Sequence, residues 1–227
     1  MSAIEKDFDR LAQFDEEGWT ANNHYHNFLL RQVPAQCESV LEIGCGTGAF
    51  SRALAHRAKQ VTAIDLSSEM IRVARSRSHQ FPQIEFEVDD IMTRALPAVH
   101  FDCIATIATM HHLSYAELLP KLKDALRPGG TLVVLDLYQP ETNLLRVSGL
   151  RDGLLNVVAM GTSVTLRLVH RGRLRPPREV RAAWEAHGKT DRYLRMDEVR
   201  SIYESIFPGV VIRRHLLWRY SAVWIKT

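Results

Sequence analysis

Five short apolar runs punctuate the first 137 residues: VLEI (40–43), VTAID (61–65), IEFEV (84–88), FDCIATI (101–107) and TLVVLDL (131–137). All but IEFEV are apolar nearly throughout rather than at alternate positions, as a strand covered on both faces requires. Between them, 49–57, 67–77 and 115–126 have helical character, with Met70, Ile71 and Ala74 at helical spacing and Pro120 inside the last. Strands that alternate with helices predict a parallel sheet with helices on both faces. RPGG (127–130) reads as a turn into the fifth strand.

After Leu137 the rhythm changes. Residues 140–190 read as helical and irregular, with an arginine-rich portion, RLVHRGRLRPPREVR (167–181). MDEVRSIYESI (196–206) is a helix ended by Pro208-Gly209, and VVIRRHLLWRYSAVWIKT holds two β-rich runs expected to pair antiparallel around Trp218–Ser221. The chain up to about Arg31 reads as a helical cap.

With 227 residues, 46% of them hydrophobic, one well-buried core is affordable to a single domain. A net charge of +3 is too small to argue for nucleic acid. Cys37, Cys45 and Cys103 are odd in number and lack metal-ligand spacing, so free thiols in a reducing compartment are expected, and no metal. MSAIEKDFDR has no apolar signal core, and the apolar stretch Gly153–Leu166 is shorter than the ~20 residues that cross a bilayer. A cytoplasmic protein without a membrane partner is expected.

The stretch VLEIGCGTGAF (40–50) puts Gly44, Gly46 and Gly48 straight after the first strand and before a helix. In an open parallel sheet, ligands bind beyond the carboxyl ends of the strands. Glycines there let the backbone approach a ligand with no Cβ between them. The spacing is GxGxG rather than the GxGxxG of dinucleotide sites, which argues against a nicotinamide-dependent oxidoreductase. It follows an acid, Glu42, suited to a cationic ammonium group. Asp65 ends the second strand, where a carboxylate accepts hydrogen bonds from ribose hydroxyls, and Asp90 ends the third, placed for an adenine amino group.

Taken in order, VLEIGCGTG, AIDLSSEMI, IEFEVDDI, FDCIATIATMHHL and LRPGGTLVVLD resemble the motifs of class I S-adenosylmethionine-dependent methyltransferases, over about residues 36–137. NNHYHNFLL near the start and HLLWRYSAVWIKT at the end are similar to one subset of that family. The resemblance implies a Rossmann-like, doubly wound α/β fold: a seven-stranded sheet, mostly parallel, with an antiparallel C-terminal hairpin. It divides the single domain into a helical cap (1–35), a cofactor-binding core (36–137), an acceptor-binding insertion after strand five (138–195) and a C-terminal helix and hairpin (196–227). It implies S-adenosylmethionine as methyl donor, S-adenosylhomocysteine as product and a small-molecule acceptor.

Residue by residue, the resemblance implies that Gly44, Gly46 and Gly48 line the methionine part and that Glu42 and the Ile107 carbonyl meet its ammonium. Asp65 would hold the ribose, Leu66 and Met70 would pack on the adenosine, and Asp90 with the Ile91 N–H would read the adenine. Tyr25 would cover the sulfonium. His112, or His111, is the candidate general base for a hydroxyl acceptor. Each has a plainer alternative: helix–sheet packing for Gly48, a helix cap for Asp65, core packing for Met70 and Tyr25, loop shaping for the histidines. Asp89, beside Asp90, reads as a solvated loop acid. The arginine run would be a solvated face or a contact for an anionic acceptor. It lacks the interleaved aromatics of a base-stacking surface, so nucleic acid is not expected. TIATM stands where amino-group methylating enzymes often carry an NPPY-like signature, which favours oxygen or carbon as acceptor atom. An RNA or protein methyltransferase and a non-catalytic cofactor-binding module are the competing readings.

Overall fold

In strand β1 (Cys37–Ile43), adjacent residues point to opposite faces, and both faces are covered: Val40 belongs to one hydrophobic cluster and Leu41 to another. That double burial is the reason the strand reads as an unbroken apolar run. The computed structural model describes residues 3–14, 18–141, 147–172, 177–188 and 191–227. Helices α1 (Ala3–Ala12) and α2 (His26–Leu30), with a 3-10 turn at Asn23–Tyr25, precede β1. The chain then alternates through α3 (Ala49–Leu54), β2 (Ala58–Asp65), α4 (Ser68–Arg77), β3 (Ile84–Val88), β4 (Phe101–Ile107), α5 (Tyr115–Ala125) and β5 (Leu126–Leu137). Helices α6 (Val147–Arg171), α7 (Arg178–His187) and α8 (Met196–Ile206) lead to the hairpin β6 (Val211–Arg214) and β7 (Arg219–Ile225).

The seven strands form one sheet in the order β3-β2-β1-β4-β5-β7-β6. The first five are parallel, and β7 runs antiparallel to both of its neighbours. Helices α3 and α4 cover one face through Phe50, Leu54, Ile71 and Ala74; α5 and α8 cover the other through Leu118, Leu122, Val199 and Tyr203. Connections therefore leave β1 and β4 in opposite directions, which opens a crevice at their carboxyl ends.

Two details differ from the sequence reading. RPGG is not a turn before β5 but a bulge within it: Leu126 pairs with Phe101 and Thr131 with Cys103, so five residues of β5 advance against two of β4. The hairpin turns earlier than Trp218–Ser221, because Arg214 pairs with Tyr220 and the reversal falls on 215–218, where Leu217 and Trp218 take left-handed backbone.

The cap is tied to the sheet at several points. Arg219 donates to Asn22 Oδ1 at 3.0 and 2.7 Å, and Asp9 of α1 accepts from Ser67 Oγ at 2.6 Å. Ser67 is the N-cap of α4, accepting from the Met70 N–H at 3.1 Å, so α1 docks on a helix start through a carboxylate. Leu11 and Ala12 of α1, Met70 of α4 and Ala183 of α7 then share one small apolar cluster. No helix among the described residues is long and apolar enough to cross a membrane.

Gly48, at the start of α3, has φ of +77°, and a Cβ there would lie 2.9 Å from Phe86 Cζ and 3.2 Å from Ala74 Cβ. Left-handed strain together with overpacking gives an expected loss of about 2–3 kcal/mol for Gly48→Ala, measured by urea denaturation. An unchanged midpoint would contradict this packing.

Candidate active site

The glycine loop is held in place by its neighbours. The N–H groups of Gly44 and Cys45 both donate to the Ile64 carbonyl, at 2.9 and 3.0 Å, which folds the loop over the end of β2. Asp65 Oδ2 accepts from the Gly46 N–H at 2.8 Å and its Oδ1 from the Ser67 N–H at 2.9 Å. One carboxylate thus joins the loop after β1 to the start of α4, while capping of α4 itself falls to Ser67. Gly46 has φ of +53° and no atom within 4 Å of the place a Cβ would take, so its bare face looks onto open space.

That space is a cavity of about 1490 Å³. Glu42, Gly44, Gly46, Asp65, Leu66 and Met70 line it from β1, the loop, β2 and α4. Asp90 and Ile91 line it from the loop after β3, Ile107 from the end of β4, and His111 and His112 from the segment that follows β4. Asp89 also reaches the wall, but its carboxylate is ion-paired with Arg94, which Glu87 holds from the other side at 2.8 Å. Asp90 shapes its own turn by accepting from the Met92 N–H at 2.9 Å. The Ile107 carbonyl accepts from Thr109 Oγ1 at 3.0 Å, and Ala108 between them takes φ of +51°, a left-handed conformation uncommon outside glycine.

Two expected residues stand elsewhere. Gly48 is not among those lining the cavity; its bare face is pressed against Phe86 and Ala74. Tyr25 is buried behind the wall, where its hydroxyl donates to the Leu216 carbonyl at 2.8 Å and its ring meets His24 and His215. The cap reaches the cavity instead through Trp19, Asn22, Asn23 and His26. The physical reason is helical phase: Tyr25 and His26 are adjacent, and the face that carries Leu29 and Tyr25 is the one that meets the core.

The acids near the loop are electrostatically unusual. Glu42 is 2% exposed and accepts a hydrogen bond from Ser51. Burial pushes its carboxyl up to about 8 against that hydrogen bond, with a smaller push from Asp65. Burial likewise raises Asp65, opposed by the N–H groups of Ser67 and Gly46. Two buried carboxyls with weakened acidity in one cavity favour a ligand that brings a positive charge.

On the other side of the cavity stands a cluster that the sequence showed only in part. His111 Nδ1 lies 2.6 Å from Asp136 Oδ1, and the His111 N–H donates to Asp136 Oδ2 at 2.8 Å. Asp191, in the segment between α7 and α8, lies near both histidines and accepts from Tyr193 Oη at 2.6 Å. The two imidazole centroids are 3.9 Å apart. Asp136, Asp191 and Tyr193 went unread because each gains its meaning only through tertiary contact. Asp136 did leave a trace as the lone charged residue of the apolar run 131–137. Arg167 and Arg181 of the arginine run line the cavity, whereas Arg173 and Arg175 lie outside the described residues.

Comparisons with known proteins agree with this geometry. A family model described as a methyltransferase domain matches residues 40–130. An uncharacterized methyltransferase of Mycobacterium tuberculosis is 32% identical over 212 residues, covering 92% of this chain and 98% of that protein. A ubiquinone biosynthesis O-methyltransferase of Xylella fastidiosa is 31% identical over 144 residues, 57% of this chain and 58% of that one. Among solved structures, the N-methyltransferase NodS of Bradyrhizobium japonicum in complex with S-adenosylhomocysteine has a similar fold, with a TM-score of 0.64 at 19% identity over 99% of both chains. With a relative matched along nearly its whole length and the motif-bearing core matched by the family model, the chain belongs to the class I S-adenosylmethionine-dependent methyltransferases.

Proposed function

We propose that the chain transfers a methyl group from S-adenosylmethionine to a small-molecule acceptor, with the cofactor along the glycine loop and the acceptor between the histidine cluster and the insertion. One observation carries the reading: Glu42 with Gly46, Asp65, and Asp90, from three separate places in the sequence, border a single cavity. Its volume of about 1490 Å³ exceeds the ~300–1,000 Å³ usual for one ligand, which leaves room for donor and acceptor side by side.

When bound, the cofactor supplies a methyl group on a sulfonium, activated for in-line displacement. The protein's part is to hold and align. Glu42 and the Ile107 carbonyl are suited to the ammonium end, Asp65 to the ribose hydroxyls, Leu66 and Met70 to the faces of the adenosine, and Asp90 with the Ile91 N–H to the adenine edge. Proximity and orientation of this kind lower a barrier by up to about 7–11 kcal/mol. His111 and His112 stand at the acceptor side, and Asp136 fixes the His111 ring. Ser163, Arg167 and Arg181 of the insertion add to the wall, which supports 138–195 as the acceptor-binding part. The buried, unpaired thiols of Cys37, Cys45 and Cys103 suit a reducing cytoplasm.

Isothermal titration calorimetry with S-adenosylhomocysteine is the direct test. Saturable binding is expected, and it should be strongly weakened by Asp65→Ala, with NADH giving no heat. Absence of binding at millimolar S-adenosylhomocysteine would end this reading.

A further inference from the structure

Asp191 faces two imidazoles across a gap too wide for a hydrogen bond. Its Oδ2 lies 4.0 Å from His111 Nε2 and its Oδ1 3.6 Å from His112 Nδ1. The state of His111 follows from its other side. Asp136 has no exposed surface and already accepts the N–H groups of His111 and Leu137, at 2.8 and 2.7 Å. It is therefore an acceptor toward His111 Nδ1 as well, so Nδ1 carries the hydrogen and, in the neutral ring, Nε2 presents a lone pair. That lone pair points toward a carboxylate oxygen, another acceptor. With the ring neutral, two acceptors facing each other 4.0 Å apart leave a place for a cation between them.

We propose that His111, His112 and Asp191 form a binding site for a divalent transition-metal ion on the wall of the cavity. The three candidate ligand atoms all lie within 4.8 Å of one another. Bonds of about 2.0–2.1 Å in a tetrahedral site put ligand atoms roughly 3.3 Å apart, so separations of at most 4.8 Å close by no more than about 1.5 Å. Asp191, on the segment between α7 and α8, is the ligand placed to make that adjustment. Asp136 behind His111 is the outer carboxylate that metal-bound histidines commonly have, fixing the tautomer and the ring plane. Two imidazoles and one carboxylate suit zinc, iron(II) or cobalt(II) better than magnesium or calcium, which prefer oxygen alone.

Three protein ligands leave a coordination position open, as catalytic rather than structural sites do. The three ligands line the side of the cavity assigned above to the acceptor, so an acceptor oxygen bound to the ion there would be polarised by it. That consequence rests on the proposed function; the ion's affinity does not, and the two are measured separately.

The probe is Co²⁺ added to the chelator-treated full chain and followed by its visible absorption, with Zn²⁺ competition. One equivalent is expected to bind with the intense bands of a low-coordinate site, to be displaced by Zn²⁺, and to be lost in Asp191→Ala and His112→Ala. Asp136→Asn, which acts through His111, is expected to weaken Co²⁺ roughly 10- to 100-fold. Thermal unfolding of each variant separates ligand loss from misfolding, and His111→Gln offers a second lesion should Asp136→Asn not fold. No Co²⁺ spectrum at millimolar metal, or an undiminished one in Asp191→Ala and His112→Ala, overturns the site. S-adenosylhomocysteine binding is titrated in the same samples, so failure of the metal proposal is distinct from failure of the cofactor reading.

Discussion

Gly44→Ala is expected to cost about 2–5 kcal/mol of folding stability, a large part of the ~5–15 kcal/mol a domain possesses. Its φ is +70°, and a Cβ there would lie 2.0 Å from Thr109 Oγ1, 2.7 Å from Cγ2 and 2.9 Å from Cβ. Rotation of Thr109 moves the hydroxyl but not its Cβ, and it breaks the hydrogen bond to the Ile107 carbonyl. Gly46→Ala, two residues on, should behave differently. Nothing lies within 4 Å of its Cβ position, so the fold bears only the left-handed strain, about 1–2 kcal/mol. The methyl group instead enters the space assigned to the cofactor. Overpacking of about 1–3 kcal/mol there means roughly 5- to 150-fold weaker S-adenosylhomocysteine binding. Urea denaturation and calorimetry on both variants check the pair, and Gly44→Ala/Thr109→Gly should recover the overpacking part of the lost stability but not the left-handed strain. If both variants lose stability equally and neither loses affinity selectively, the loop is a packing element and not a ligand cradle.

Three glycines of one motif thus have separate employments. Gly44 makes room for Thr109, Gly46 leaves the cavity open and Gly48 lets α3 close on Phe86. The spacing in the sequence located the loop but not this division, because the obstructing atoms come from β3, α4 and the loop after β4. The same distinction runs through the molecule. Strands β3 and β4 and helix α8 carry their limits in local pattern, and the structure keeps 84–88, 101–107 and 196–206 as the sequence reading had them. The bulge in β5 was not legible, since only its pairing with β4 shows that RPGG belongs to the strand. The resemblance puts Tyr25 over the sulfonium, but which side of its turn meets the core is decided by Leu29 and the hairpin. His111 and His112 were visible as chemistry, whereas Asp136 and Asp191, 25 residues after His111 and far beyond the fifth strand, were not.

Cofactor binding is expected to expel a proton and to strengthen as pH rises from 6 toward about 8, the range in which Glu42 titrates. In the folded chain its carboxyl is raised to about 8, and in the unfolded chain it has an ordinary value of 4.5. Below 4.5 both states hold the proton. Between 4.5 and about 8 the unfolded chain has released it while the folded chain has not, so stability falls as pH rises, and the loss is complete above about 8. Its full size is on the order of 5 kcal/mol. Asp65, also raised, contributes with the same sign. His26 opposes them: burial first, then Arg52, lowers it to about 4, so its contribution rises with pH up to its ordinary 6.5. The interval from 6.5 to about 8 therefore separates the raised carboxyls from His26, and Glu42→Gln should reduce the wild-type decline there. A cationic ammonium beside Glu42 reverses its preference, because the charged carboxylate is now paired. Near pH 7 each S-adenosylhomocysteine should displace about one proton, and Kd should fall by up to about tenfold per pH unit below 8. Calorimetry in two buffers of different ionisation enthalpy counts the proton directly. Glu42→Gln should bind more weakly, release none and show no slope. Equal proton release from wild type and Glu42→Gln would assign the proton to another group and remove Glu42 from the ammonium site.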